Sequence, residues 1–223
     1  MRLAIALLAL ALAADTMPAA AQQSPPPAAP TCTRTDATVA GGIGRATIVA
    51  FTGSVTGARV CALVVNLAFD VFSSSLEAAP GPDDAVTASV GAGKGAVVAT
   101  GPQGLNLIPA ASDPPAATAA TVGPFVVEPG GAFPSLGGDT SEVPRVVLGY
   151  AGPRVVLIRT TAVSLLDLAH ALRDHPDLFG TDAFERAAVI AGGETAALSV
   201  RTADGSLLGT PPAGRVLGIM KRA

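Results

Sequence analysis

The stretch most suited to building a reactive turn is Ala187-Ala-Val-Ile-Ala191 followed by Gly192-Gly193-Glu194. A glycine pair lets the backbone turn sharply or approach a ligand closely. Glu194 brings a carboxylate to that turn, where it either moves a proton or stays a solvated turn residue. Few other polar side chains accompany it. The two histidines add little: His170 falls on the polar face of a helical segment and His175 precedes Pro176 in a loop. Neither has ligand-like spacing to Cys32 or Cys61, so no metal site is read. Gly91-Ala-Gly-Lys-Gly95 resembles a phosphate loop but lacks the Gly-Lys-Ser/Thr ending and a helix behind it, which excludes a nucleotide site. The residues name no cofactor.

The turn needs elements to hold it. Arg154-Val-Val-Leu-Ile-Arg159 is β-branched and apolar after Gly152-Pro153, as suits a buried strand. The spacing then predicts the chain's clearest helix, from Ser164 to Arg173. Ser164 can cap it, and Asp167 lies in the first turn, where the helix dipole favours negative charge. Leu165, Leu168, Ala169 and Leu172 recur at i, i+3, i+4 and i+7 on one face, with Asp167, His170 and Asp174 on the other. Ala187–Ala191 returns as a second buried strand into the glycine turn.

The beginning of the chain reads as an export signal. Met1-Arg2 precedes an apolar run from Leu3 to Ala14, too short to span a membrane, and Ala19-Ala20-Ala21 offers small residues for cleavage before Gln22. Residues 1–21 are expected to be a signal peptide and 22–31, rich in Pro and Ala, a disordered leader. The expected location is periplasmic or secreted. Cleavage leaves roughly 200 residues, enough for one domain with its own core. With one Tyr and no Trp, that core must be aliphatic. The formal charge of −3 is unchanged by loss of Arg2 and Asp15, and no basic stripe exists, so nucleic acid is excluded as a partner. No later run reaches spanning length, so no membrane span is expected after signal removal. Cys32 and Cys61 are an even pair in an exported chain, which favours a disulfide over two buried thiols.

Between these landmarks the chain reads as short strands: 46–51, 59–65, 85–90, 95–100, 105–108, 122–127, 145–150, 154–158 and 215–220, separated by Gly, Pro and Asp. Gly123-Pro124 makes 122–127 an edge strand or a strand after a turn. Residues 145–150 and 154–158 read as a hairpin, 109–120 as an exposed loop and 129–142 as a mobile one. The fold class is α+β: a mixed, mostly antiparallel sheet with one dominant helix.

Six blocks, in order, resemble the phosphodiester glycosidase family. Ala62-Leu-Val-Val-Asn-Leu-Ala-Phe69 is similar to its strand ending in Asn-Gly-Gly-aromatic, and Val122-Gly-Pro-Phe-Val126 to its Gln-Ser-Gly-Pro block. Pro144-Arg-Val-Val-Leu-Gly149 resembles its Arg-containing strand, Val163-Ser-Leu-Leu-Asp-Leu-Ala169 its single helix, Ile190-Ala-Gly-Gly193 its strand ending in Asp-Gly-Gly, and Gly214-Arg-Val-Leu-Gly-Ile219 its closing strand. The resemblance covers most of the chain from about Val60 and implies a domain over 32–223.

Departures accompany it. Asn66 is kept, but Leu67 and Ala68 replace Gly-Gly, Thr121 and Val122 replace Gln-Ser, and Ala191 replaces Asp. Gly123, Pro124, Arg145, Gly192 and Gly193 remain. The resemblance implies a site made from Asn66, Arg145, Gly192 and Gly193 as substrate-binding positions, with Glu194 as the acid standing in for the one missing at Ala191. Asn66 at a strand end either binds ligand or satisfies backbone groups in a turn. Arg145 either holds a phosphate in a fork of donors or pairs with a surface acid. Two function classes follow. One is an exported hydrolase of sugar phosphodiesters or related cell-envelope glycans. The other is a catalytically degenerate protein of the same fold that binds a glycan or sugar phosphate, or serves as a scaffold.

Overall fold

The two longest strands lie side by side and carry nearly uninterrupted apolar side chains, the pattern of strands covered on both faces. They are Arg59–Ala68 and Arg154–Val163, paired antiparallel from Ala62↔Thr160 to Ala68↔Arg154. The structure, a computed structural model, describes residues 32–101, 104–110, 118–136 and 140–223. The expected signal peptide 1–21 and leader 22–31 lie outside the described residues, as do parts of the two expected loops.

In chain order the strands are β1 (Asp36–Thr38), β2 (Gly44–Thr52), β3 (Arg59–Ala68), β4 (Phe72–Glu77), β5 (Val86–Ser89), β6 (Ala96–Gly101), β7 (Gly104–Pro109), β8 (Ala119–Val122), β9 (Phe125–Val127), β10 (Val143–Ala151), β11 (Arg154–Val163), β12 (Arg186–Gly192), β13 (Leu198–Arg201), β14 (Leu207–Gly209) and β15 (Val216–Lys221). The helix α1 spans Leu165–Asp174. A seven-stranded sheet runs β1-β2-β3-β11-β10-β12-β9, a five-stranded sheet β14-β13-β5-β15-β4, and a three-stranded sheet β7-β6-β8. Every strand pairing among the described residues is antiparallel. The expected α+β class, mostly antiparallel with one dominant helix, is the observed one.

Strand alternation sorts the core into two layers. One face of the seven-stranded sheet, with Leu63, Val65, Leu148 and Leu157, packs against the smaller sheets through Leu107, Leu198, Leu217 and Ile219. The other face, with Ala62, Val64, Val147 and Ile158, is covered by Leu165, Leu168 and Leu172 of α1 and by Phe179. No helix among the described residues is long and apolar enough to cross a membrane.

The helix begins where its sequence says it should: the Ser164 hydroxyl accepts from the Asp167 N–H at 3.0 Å. Asp167 itself corrects the sequence reading. It was expected on the polar face, yet it is 1 % exposed. The turn between β2 and β3 folds over the helix N-terminus and meets it, so the carboxylate accepts from the Val55 N–H (2.6 Å), the Thr56 N–H (3.3 Å), the Thr56 hydroxyl (2.6 Å) and the Ser164 hydroxyl (3.0 Å). Strands β1, β4, β13 and β14 were not anticipated. The expected strand 122–127 breaks at Gly123-Pro124, because proline has no N–H to continue a ladder: Val122 ends β8, which starts at Ala119 inside the expected loop 109–120, and Phe125–Val127 form β9 in a different sheet.

Cys32 and Cys61 form a disulfide with a Cα–Cα distance of 5.5 Å, fastening the start of the described chain to β3. At a sequence separation of 29, the chain-entropy contribution is roughly 3 kcal/mol. The bond is consistent with an oxidising compartment.

Candidate functional site

Arg145 and the glycine turn are neighbours. Arg145 on β10 stands opposite Gly192 on β12. Its side chain is buried at 7 % exposure, with Nε donating to the Val163 carbonyl at 3.1 Å and Nη2 to the Ser141 carbonyl at 3.1 Å. These bonds tie the guanidinium to the backbone just before α1 and just before β10. Gly193–Thr195 form a 3-10 turn in which Glu194 is exposed and has no hydrogen bond or ion pair among the described residues.

A glycine strap closes the inner side of this corner. Gly91 donates to the Ile190 carbonyl at 2.7 Å, Gly93 to Thr121 at 3.1 Å and Gly95 to Val122 at 3.1 Å. A Cβ on Gly93 would lie 2.1 Å from the Val122 carbonyl carbon, and one on Gly95 would lie 2.7 Å from the Pro124 Cα. Only glycine permits that approach. Ala92 and Lys94, the alternate residues, are exposed. Under the strap, Ala191 (4 % exposed) and Val122 (0 %) belong to the apolar core, as does Leu67 at the other end of the sheet.

Asn66 is not part of that corner. It pairs with Val156 on β11, whereas Arg145 pairs with Thr160, four residues further along the same strand. That offset alone is about 13 Å at the rise of a β-strand. Asn66 Nδ2 donates to the Phe179 carbonyl at 2.9 Å, pinning the 3-10 turn Pro176–Phe179 to β3, while Oδ1 is covered and has no partner among the described residues. The structure therefore brings Arg145, Gly192, Gly193 and Glu194 together and leaves Asn66 at the opposite end of the sheet.

Asn66 lies beside a groove that sequence reasoning missed. Three cavities meet at the β10–β11 hairpin, and Arg154 lines all of them. The first, of about 570 Å³, lies between the hairpin turn and residues 177–185 and presents Asp177, Asp182 and Glu185. The second, of about 460 Å³, is lined by Arg45, Thr47, Asn66 and Ala68. The third, of about 670 Å³, has Phe69 and Tyr150 for walls, with Asp70, Asn106, Glu185 and Arg186 around them. The Arg154 side chain is exposed and has no hydrogen bond or ion pair among the described residues. The aromatic wall is fixed. The Tyr150 hydroxyl donates to the Leu105 carbonyl at 2.5 Å, and the Arg186 guanidinium sits 5.1 Å over the Tyr150 ring while bonding the Leu107 carbonyl. Burial pushes the Tyr150 pKa up, against the opposing pull of Arg186, so the phenol stays a neutral donor.

Chemically, a cation with a partly exposed aromatic ring and acceptors on either side suits an anionic sugar: charge to the guanidinium, a ring face to Phe69, hydroxyls to the carboxylates and amide. Among the described residues no group of three or more His, Cys, Asp or Glu could hold a metal ion. One sequence signal pointed to this place, since Phe69 ends the block that begins at Ala62. Arg154, Asp182, Glu185 and Arg186 come from segments with no shared motif.

No protein-family model matches the sequence, and no curated protein matches it. Solved structures do. The chain superposes on the zebrafish N-acetylglucosamine-1-phosphodiester alpha-N-acetylglucosaminidase catalytic domain, auto-inhibited by its pro-peptide, with a TM-score of 0.59 at 12 % identity over 86 % of this chain and 89 % of that one. A hypothetical protein from Synechocystis matches with a TM-score of 0.53 at 11 % identity, covering 80 % of this chain and 62 % of that chain. The chain thus has the phosphodiester glycosidase fold of that catalytic domain, in a strongly divergent form.

Proposed function

We propose that the protein is exported to the periplasm or beyond the cell and binds an anionic sugar, of the sugar-phosphate or cell-envelope glycan class, in the groove around Arg154. The observation that carries this reading is Arg154 itself: an exposed guanidinium without a partner among the described residues, placed where three cavities and an aromatic wall meet. Asn66 borders the groove and holds its floor in place. The disulfide and the signal-like start of the chain support export. The binding version is favoured over hydrolysis by Val122 and Ala191, apolar and buried where the family pattern is polar.

Arg154→Ala should weaken binding of a hexose 1-phosphate by roughly 10- to 100-fold, the scale of one lost charge-assisted interaction. Because Arg154 is exposed, the melting temperature should stay within about 1 °C. Calorimetric titration of both proteins checks this. Equal affinity in the two, or no binding to the unaltered protein, would sink the reading.

A hydrolytic reading retains one observation in its favour: Glu194 is a solvent-facing carboxylate beside Gly192, Gly193 and Arg145. In that reading the protein turns over a generic sugar-1-phosphodiester, assayed with and without divalent cations, and Glu194→Gln lowers the rate by about 10²-fold. Absence of turnover in both conditions removes it.

A further inference from the structure

We propose that the five-stranded sheet carries a cation site centred on Asp84, on the face turned away from the core, and that Ca²⁺ is the ion its oxygens suit. The site uses none of the strands around Arg154 and stands independently of the groove.

Gly218 on β15 pairs with Ser75 on β4 and with Thr87 on β5, and Thr87 pairs in turn with Ser199 on β13. Residues directly opposite in an antiparallel sheet project to the same side. These positions therefore form one polar row across the sheet. The neighbouring row, Leu76, Leu217, Ala88 and Leu198, projects to the other side and into the core. Thr87 and Ser199 are buried and bond each other at 2.7 Å.

Asp84 caps the row. A Cβ on Gly218 would lie 2.5 Å from its Oδ2 and 2.6 Å from its Oδ1, so the carboxylate rests in the space that the glycine leaves open. Asp84 is 6 % exposed. Oδ2 accepts from the Gly81 N–H at 2.8 Å. Oδ1 is covered and has no hydrogen-bond partner among the described residues. The same holds for the Ser75 hydroxyl, beside Gly218 in the row, and for the Ser89 hydroxyl, on the same side of β5. Covered oxygens of this kind are costly to leave without a partner.

Charge favours a cation over a water molecule as that partner. Burial raises the Asp84 pKa; the Gly81 N–H pulls it down, and the Glu77 and Asp83 carboxylates push it up further. The Arg201 guanidinium reaches the same loop but donates to the Pro82 carbonyl at 3.4 Å. A water molecule would satisfy Oδ1 and leave the carboxylates facing one another. A cation satisfies the oxygen and the charge together. Glu77 and Asp83 act on Asp84 through charge, so the site is one carboxylate among hydroxyls rather than a cluster of acids. Oxygen donors suit a hard ion, and Ca²⁺ accepts irregular oxygen sets where Mg²⁺ demands a near-ideal octahedron.

The test follows thermal melting of the full chain after treatment with EDTA. About 10 mM CaCl₂ should raise the transition by roughly 3–6 °C, the scale for a site with a Kd of about 10⁻⁴–10⁻³ M. Asp84→Asn keeps an acceptor for the Gly81 N–H and removes the charge. It should melt no lower than the unaltered protein in EDTA and show no calcium shift. Ser75→Ala, at a half-buried position, should fold and weaken calcium affinity by about 3-fold or more in calorimetric titration. No calcium shift in the unaltered protein overturns the site and leaves Asp84 to a proton or a water molecule. An equal shift in Asp84→Asn puts the ion elsewhere and overturns it as well. The same shift from NaCl at matched ionic strength reduces the effect to screening and overturns binding. Asp84→Asn melting well below the unaltered protein in EDTA shows a carboxylate already compensated, which also overturns the proposal. A larger shift from Mg²⁺ overturns the choice of ion.

Discussion

Leu168→Asp should yield no folded protein at growth temperature, or a melting transition lowered by well over 10 °C. Leu168 is fully buried in the layer between α1 and the seven-stranded sheet, among Val64, Val147, Ile158 and Phe179. Truncating a leucine in such a site costs about 2–5 kcal/mol. An unpaired carboxylate there adds a desolvation penalty of several kcal/mol more. Together these approach the whole stability of an ordinary domain, about 5–15 kcal/mol. Leu168→Met, which conserves volume, should cost less than about 1.5 kcal/mol and serves as the control. Thermal melts followed by circular dichroism decide it, and an unchanged transition in Leu168→Asp would show that the helix does not pack as described.

The second large effect is expected at the adjacent residue. Asp167→Ala removes the acceptor for two backbone N–H groups and two hydroxyls at once, and leaves the N–H groups of Val55 and Thr56 without that partner. The loss should be about 3–5 kcal/mol, with a fall in melting temperature of roughly 10 °C. A pH signature separates this role from simple packing. Burial works to raise the Asp167 pKa, but hydrogen bonds from the Thr56 hydroxyl, the Val55 N–H, the Ser164 hydroxyl and the Thr56 N–H outweigh it and hold the value below the ordinary carboxylate range. A carboxylate whose folded pKa lies below its unfolded one contributes fully above the unfolded value, about 4, and loses that contribution as pH falls through the folded value. The unaltered protein should therefore lose stability on acidification more steeply than Asp167→Ala. Parallel pH–stability curves would remove the hydrogen-bonded clamp as the explanation.

The same two residues show what the sequence could and could not convey. Leu168 was legible because its neighbours in space are its neighbours in a 3.6-residue period, and Ser164 because a cap acts within one turn. Asp167 was misread because its partners lie 112 and 111 residues away, in a turn that carries no pattern pointing to the helix. Strand β4, Phe72-Ser-Ser-Ser-Leu-Glu77, escaped notice for a related reason. Its serines lack β-propensity, and its strandedness comes from pairing with β15 at the far end of the chain. The Arg145–Gly192 contact was within reach because two adjacent strands of one sheet carry it. The Arg154 groove was not, since its walls come from β2, β3, β7, the β10–β11 hairpin and the segment before β12. Arg154 alone looks like any charged residue at a strand start.

The glycine strap over Ala191 decides which parts of the surface can change easily. Gly93 and Gly95 lie against backbone so closely that the strap is part of the wall, and Ala191 and Val122 are core side chains. Replacing Ala191 by an acid would place a carboxylate under a strap that cannot lift without surrendering three backbone hydrogen bonds. A polar residue at Val122 meets the same obstacle. Each such change is disfavoured taken singly, so the apolar corner resists stepwise conversion to a polar one. The exposed residues around Arg154 face no such barrier, and the groove at the hairpin can be redrawn one substitution at a time.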